Sequence, residues 1–336
     1  MINRIIRNAV CFCTVLFAAA SISFAQEDAQ TYLNRGFSLY QQGQYPKALT
    51  AFEEGVKLSP AREDGYRFIG LCHIKLNDFD KAIVALKKAI ELSDQTQQPD
   101  DAAKFALGIA YFNKQQYADA LPLIEAAAKS NETADNYYYL GTIHLKLNNK
   151  DAALRALDKS AKLAPSSPGT LQMMMELNMQ KARDNQDPNG YTEAIKIGKQ
   201  LKTVRDDANT AMLLGQAYLG TKQYKEAAVE LKKAADANPA NGPVQLTYGQ
   251  VLAATEQWSA AQVALEKASQ LMATDPAVFN FLGYAYEAEG VRIQDEKARG
   301  AKFTAALKAY TKADELAKGA DATIKASIER VKPFAK

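Results

Sequence analysis

The sequence predicts an all-α fold in which one two-helix unit is built again and again along the chain. Three observations carry that expectation. Glycine recurs at 36, 70, 108, 141, 215, 249 and 283, with successive spacings of 34, 38, 33, 74, 34 and 34. Twelve residues after six of these glycines stands an alanine: Ala48, Ala82, Ala120, Ala153, Ala227 and Ala261. Three residues before the alanine comes an aromatic, as in Tyr45, Phe79, Tyr117, Tyr224 and Trp258.

The 74-residue gap is two periods with a few inserted residues, and it holds a degenerate unit over 171–201 with Met175 near the glycine slot. That unit supplies Tyr191 and Ala194, and the last supplies Phe303 and Ala306 after a longer insertion, so the count is eight. Only Lys150 breaks the aromatic rule.

Each feature has a packing reason. Apolar positions within a unit follow helical spacing, as in Phe52-x-x-Gly55-x-x-Leu58, so both segments read as amphipathic helices. Glycine on the first helix and alanine on the second allow close approach, where a larger side chain would wedge the hairpin apart. The aromatic that opens the second helix is large enough to reach the next hairpin. Pro60, Pro165 and Pro239 stop second helices, because proline has no N–H to continue the ladder. A single hairpin cannot bury both faces, whereas stacked neighbours bury them for one another.

The N-terminal segment stands apart. Arg4 and Arg7 precede a run from Asn8 to Gln26 without any charge, and Ser23-Phe24-Ala25 places small residues where a signal peptidase reads. This predicts a secretory signal peptide over 1–25 cleaved after Ala25, and a periplasmic or secreted protein. The alternative is an uncleaved membrane anchor, since the run is almost long enough to span a bilayer. No lipidation box precedes Cys11 or Cys13, and no second hydrophobic stretch could cross a membrane.

Without Arg4 and Arg7, the 41 Lys+Arg become 39 against 38 Asp+Glu, a net charge of +1. Nucleic acid is therefore not an expected partner, as no basic excess or stripe is present. Cys72 alone would remain of the 3 cysteines, so packing rather than a disulfide must hold the fold. With 47% hydrophobic residues, a sizeable core is available.

Catalytic constellations are lacking. His73 and His144 each lie three residues after a repeat glycine, where other units carry Tyr111, Tyr218 and Tyr286, and so read as packed side chains. Cys72 takes a slot filled elsewhere by Ser38, Ala110 and Ala217, and reads as small and inert. The segment Asn185-x-Asp187-x-Asn189-Gly190 opens like a calcium loop, but Lys196 stands where the bidentate Glu belongs, and Pro188 with Gly190 already makes a turn. Asn131-Glu132-Thr133 fits a glycosylation acceptor, relevant only to a eukaryotic secretory route. No phosphate loop, His-Glu-x-x-His motif or activated nucleophile is present. The expectation is a non-enzyme with no cofactor and no metal.

The repeat resembles the tetratricopeptide repeat family, whose ~34-residue helix–turn–helix carries Leu-Gly, Tyr, Ala, Phe, Ala and Pro at set offsets. The resemblance covers about 29–318, with units near 29–62, 63–96, 101–133, 134–167, 168–207, 208–241, 242–275 and 276–318. The insertions at 184–190 and 288–300 depart most from it, and 319–336 would form a capping helix and tail. The resemblance implies a right-handed α-α superhelix whose first helices line a concave groove for a protein or peptide partner. It places Leu33, Phe37, Tyr40, Leu71, Ile74, Phe105, Ile109, Phe112 and Tyr138 in that groove.

The residue after each glycine is commonly polar in the family. Here it runs Phe37, Leu71, Ile109, Thr142, Glu176, Gln216, Gln250 and Tyr284: apolar in the first three units, then polar, then apolar again. A contiguous apolar stripe marks an interaction site. The family's clamp for an acidic C-terminal tail needs Lys and Asn where this chain has Leu33, Phe37 and Phe68, so a hydrophobic partner segment is expected instead. The alternative is a self-associating spacer that closes the stripe in a homodimer. Partner and pathway, with envelope assembly or secretion as family-level analogies, are not named by the residues.

Overall fold

The computed structural model describes residues 29–335. The expected signal peptide over 1–25, with Cys11, Cys13 and the cleavage position, lies outside the described residues. Among the described residues all regular structure is helical and there is no strand.

The chain divides into two compact units, Met1–Leu163 and Ala164–Lys336. The first contains α1 (29–41), α2 (Tyr45–Leu58), α3 (Glu63–Lys75), α4 (Phe79–Gln95), α5 (Asp101–Asn113), α6 (Tyr117–Ser130), α7 (Ala134–Lys146) and α8 (Lys150–Leu163). The second contains α9 (Pro168–Asn185), α10 (Asn189–Val204), α11 (Ala208–Gly220), α12 (Tyr224–Ala237), α13 (Gly242–Ala254), α14 (Trp258–Leu271), α15 (Pro276–Arg292), α16 (Glu296–Leu316) and α17 (Ala322–Val331). Within each unit, consecutive helices pair as antiparallel hairpins that stack on their neighbours.

Most first helices start on side-chain caps, α3 being an exception. Asp100, Thr133, Asp207 and Asn241 each accept a hydrogen bond from a backbone N–H of the opening turn, satisfying a donor the helix leaves orphaned. They end alike. Seven residues after the repeat glycine the backbone turns left-handed, at Gly43, Asn77, Gln115, Asn148, Lys222 and Glu256. There the next N–H donates back to a helix carbonyl, as Asp78 does to His73 and Gln257 to Leu252. This Schellman ending gives these six hairpins the same sharp return, although only the first uses glycine for it.

The repeat glycine is a socket. A Cβ added at Gly70 would lie 2.4 Å from Leu86 Cγ; the same test meets Phe52 at 2.8 Å from Gly36, Ile124 at 2.7 Å from Gly108, Leu157 at 2.7 Å from Gly141 and Leu231 at 2.5 Å from Gly215. In each case the occupant lies sixteen residues on, and it is a large side chain rather than the alanine. The alanine has its own role: Ala48, Ala82, Ala120, Ala153, Ala194, Ala227, Ala261 and Ala306 are all fully buried. In the degenerate unit the arrangement inverts. Met175 fills the first-helix position, and Gly198 on α10 makes room for it and for Leu214.

The insertions extend helices rather than forming long loops. Residues 184–190 end α9 late, with Gln186 left-handed, and 288–300 are helical except at 293–295. α17 closes the second unit by burying Ile324 and Val331, and Arg330 pairs with Glu287 of α15 at 2.5 Å.

Candidate functional site

In the first unit, the first helices of successive hairpins form one layer. α3 packs directly on α5. Ring contacts join the remaining pairs. Phe68 of α3 meets Phe37 of α1 edge-on at 5.4 Å and Tyr40 at 5.9 Å, while Tyr139 of α7 meets Phe105 at 5.9 Å and Phe112 at 5.7 Å on α5. Edge-to-face geometry at these separations is favourable beyond the area it buries.

The rings also stand on the core. Phe68 stacks on Phe52, which is 1% exposed, so Phe37 leans on a buried support. Leu71 and Ile74 pack half-buried against the cluster around Leu86 and Leu107, and Ile109, Phe105 and Phe112 pack around Ile124 and Ile143. Tyr138 is half-buried, 5.9 Å from Tyr139.

Two expectations need correction. Leu33 is not a groove residue: it is 5% exposed, because glycines at 55 and 65 let its side chain sink between α2 and α3, its Cδ2 standing 2.8 Å from a Cβ built at Gly55. The stripe is also less open than a row of bare side chains. Phe37 is 44% exposed, whereas Leu71 and Ile109 are half-buried, each covered on one flank by the neighbouring first helix.

Two residues the groove assignment left out hold it together, Phe68 and Tyr139. Both lie two residues before a repeat glycine, and an aromatic at that offset is the signal that would have found them. The aromatic that opens the second helix does not always reach the next hairpin either. Tyr45 packs on Tyr40 and Tyr117 on Phe112, each within its own hairpin; Trp258 does reach forward, to Tyr284.

In the second unit the position directly after the repeat glycine turns polar: Glu176 is exposed and Gln216 and Gln250 are half-buried, before Tyr284, 47% exposed, is apolar again. Met212, Leu219 and Leu246 keep the flanking positions apolar and half-buried. Arg292 lies over the Trp258 ring at 5.1 Å while pairing with Glu256 at 2.7 Å.

The two histidines and Cys72 behave as packed groups. Burial holds the His73 and His144 imidazoles below their ordinary pKa, against a weaker opposite pull from Asp78 and Glu125 respectively. Burial pushes the fully buried Cys72 thiol up to about 12, far from the thiolate that nucleophilic chemistry needs. Asp187 accepts a hydrogen bond from the Asn189 N–H at 3.0 Å, a turn contact. Among the described residues no cluster of three His, Cys, Asp or Glu is arranged to hold a metal, and no helix is long and apolar enough to cross a membrane.

Comparison with known proteins agrees with this architecture. Tetratricopeptide repeat family models match residues 29–62, 65–96, 105–168 and 218–283, together more than half of the chain. The BBSome complex member BBS4 homolog of Drosophila melanogaster is 27% identical over 135 residues, 40% of this chain and 27% of that protein. The match thus spans about a quarter of that relative's length. Among solved structures, pilF of Pseudomonas aeruginosa aligns with a TM-score of 0.54 at 16% identity, over 68% of this chain and 98% of its own. A tetratricopeptide repeat protein from Parabacteroides merdae aligns with a TM-score of 0.50 at 15% identity, over 77% and 99%. At these identities the structural likenesses speak to the fold.

Proposed function

The chain belongs to the tetratricopeptide repeat family, a family of protein–protein interaction scaffolds, and on that premise we propose that its first unit holds an apolar segment of a partner protein against the layer formed by α1, α3, α5 and α7. The observation that carries this reading is the continuity of that layer. Phe37, Tyr40, Leu71, Ile74, Phe105, Ile109, Phe112 and Tyr138 are half-buried or exposed on helices that touch in sequence through Phe68, the α3–α5 contact and Tyr139. Half-buried rings on a rigid support lose little side-chain freedom when a partner covers the rest. The protein acts without catalysis, and the leader over 1–25 supports export to the periplasm or beyond.

The test is a crosslinked pull-down from intact cell envelopes. It compares wild type with Phe37→Ser, Leu71→Ser and Ile109→Ser combined, after circular dichroism shows the variant still helical. A protein captured by wild type and lost from the variant supports the groove and names its occupant. An identical capture list overturns it. Capture of a second copy of the chain, lost in the variant, replaces the partner segment with the self-associating spacer. N-terminal sequencing of the exported protein should begin at Gln26, and retention of Met1–Ala25 would favour the anchor.

A further inference from the structure

The edge of that layer carries a chemistry the apolar face does not explain. Four first helices of the first unit end side by side, and the residue five after each repeat glycine is Gln41, Lys75, Asn113 or Lys146. Lys75 and Lys146 are exposed and, among the described residues, neither has a carboxylate partner. Beside Lys75, Asp78 pairs with Lys81 at 2.8 Å and Asp80 with Lys114, while Asp119 and Asp151 open α6 and α8 on the same edge. Amides fill the turns between, at Gln44, Asn77, Gln115, Gln116, Asn148 and Asn149. The opposite edge, where the same helices begin, carries Asp64, Asp101 and Asp135, with Asp64 paired to Arg62. The face is therefore apolar in its middle and cationic with amide donors along one edge.

We propose, resting on the groove reading above, that the occupant is an extended peptide segment whose aromatic or aliphatic side chains meet the apolar layer while aspartate or glutamate side chains along one flank face Lys75 and Lys146. Charge complementarity selects this occupant. An acidic flank finds two lysines that need not break another ion pair, whereas a basic flank would meet uncompensated like charge. The amide side chains can satisfy an extended backbone that has no strand to pair with. Lysine at a helix C-terminus also complements the helix dipole, a role that would show in stability rather than in binding.

Selection of random 12-residue peptides displayed on phage against the purified chain tests the proposal. Enriched peptides should combine aromatic or aliphatic residues with Asp or Glu. Synthetic copies should bind Lys75→Glu/Lys146→Glu at least tenfold more weakly than wild type, at a temperature where circular dichroism shows the variant fully folded. Lys129→Glu/Arg155→Glu, an equal charge change on second helices, should alter binding less than twofold. Binding lost in F37S/L71S/I109S but unaffected by Lys75→Glu/Lys146→Glu would overturn the acidic flank and leave the groove standing. Enrichment of neutral or basic peptides overturns it likewise. Peptides indifferent to both variants, or no enrichment at all, would sink the groove reading and this inference together.

Discussion

If the repeat glycine is a socket for the side chain sixteen residues on, Gly70→Ala should destabilise the protein even though alanine is the better helix former. The gain in helix propensity is about 1 kcal/mol. Against it, the new methyl would stand 2.4 Å from Leu86 Cγ and 2.8 Å from Cδ2, so a branch carbon of a fully buried leucine must move by more than 1 Å to restore an ordinary contact. Overpacking of this kind costs about 1–3 kcal/mol, with the upper end fitting a branch point that cannot rotate away. The net expectation is a loss of about 1–2 kcal/mol. One control reverses the sign. In a Leu86→Ala background, itself costing about 2–5 kcal/mol, Gly70→Ala should become stabilising. Urea unfolding followed by circular dichroism reads all four proteins. A stabilising Gly70→Ala in the wild-type background would refute the socket.

The remaining predictions concern turns, histidines and the C-terminal helix. Lys222→Gly should raise stability by about 0.5–1 kcal/mol, since Lys222 holds φ at +59° with its side chain exposed, and thermal melts will show whether the midpoint rises. His73 and His144 have folded-state pKa values below 6.5, so the unfolded chain binds more protons; stability should be full above pH 6.5 and fall as the pH drops through the lower folded values. Tyrosine at both positions, as at 111 and 218, should flatten that dependence between pH 7.5 and 5.5, and an unchanged slope would count against it. Burial alone would raise the Glu287 pKa, but hydrogen bonds from Arg330 and Tyr310 outweigh it and hold the carboxyl below 4.5. Docking of α17 should therefore be intact above pH 4.5 and loosen as the pH falls through that lower value, read as faster amide exchange over 322–331. Glu287→Gln should remove the dependence.

Much of the architecture was legible because stacking imposes a period. The glycine, alanine and opening aromatic each answer to a contact made in every hairpin, so they recur at fixed offsets whatever else changes. Less legible was what the glycine faces. Its partner is Phe52, Leu86, Ile124, Leu157 or Leu231, and a slot that accepts several apolar types shows no single letter to count. The left-handed turn residue was hidden for a similar reason: Asn, Gln, Lys and Glu occupy it where glycine would have advertised it. At the site, offset arithmetic placed Leu33 in the groove, but burial is settled by neighbours, here glycines 22 and 32 residues away in sequence. The same arithmetic passed over Phe68 and Tyr139, which sit one step off the groove positions and yet supply the edges that hold Phe37, Phe105 and Phe112. The length of α15 and α16 could not be read from repeat spacing, because an insertion in a hairpin can extend helices as readily as it lengthens a loop.

The central claim, that the first unit's inner layer is the partner surface, is tested most directly by photo-crosslinking in living cells. A benzoylphenylalanine would replace Phe37, Ile109 or, on an exposed second-helix position, Val229, which is 68% exposed. The account predicts that the Phe37 and Ile109 probes crosslink to one and the same protein segment and that the Val229 probe does not. Crosslinks to that protein from Val229 alone, or from all three positions equally, would contradict it.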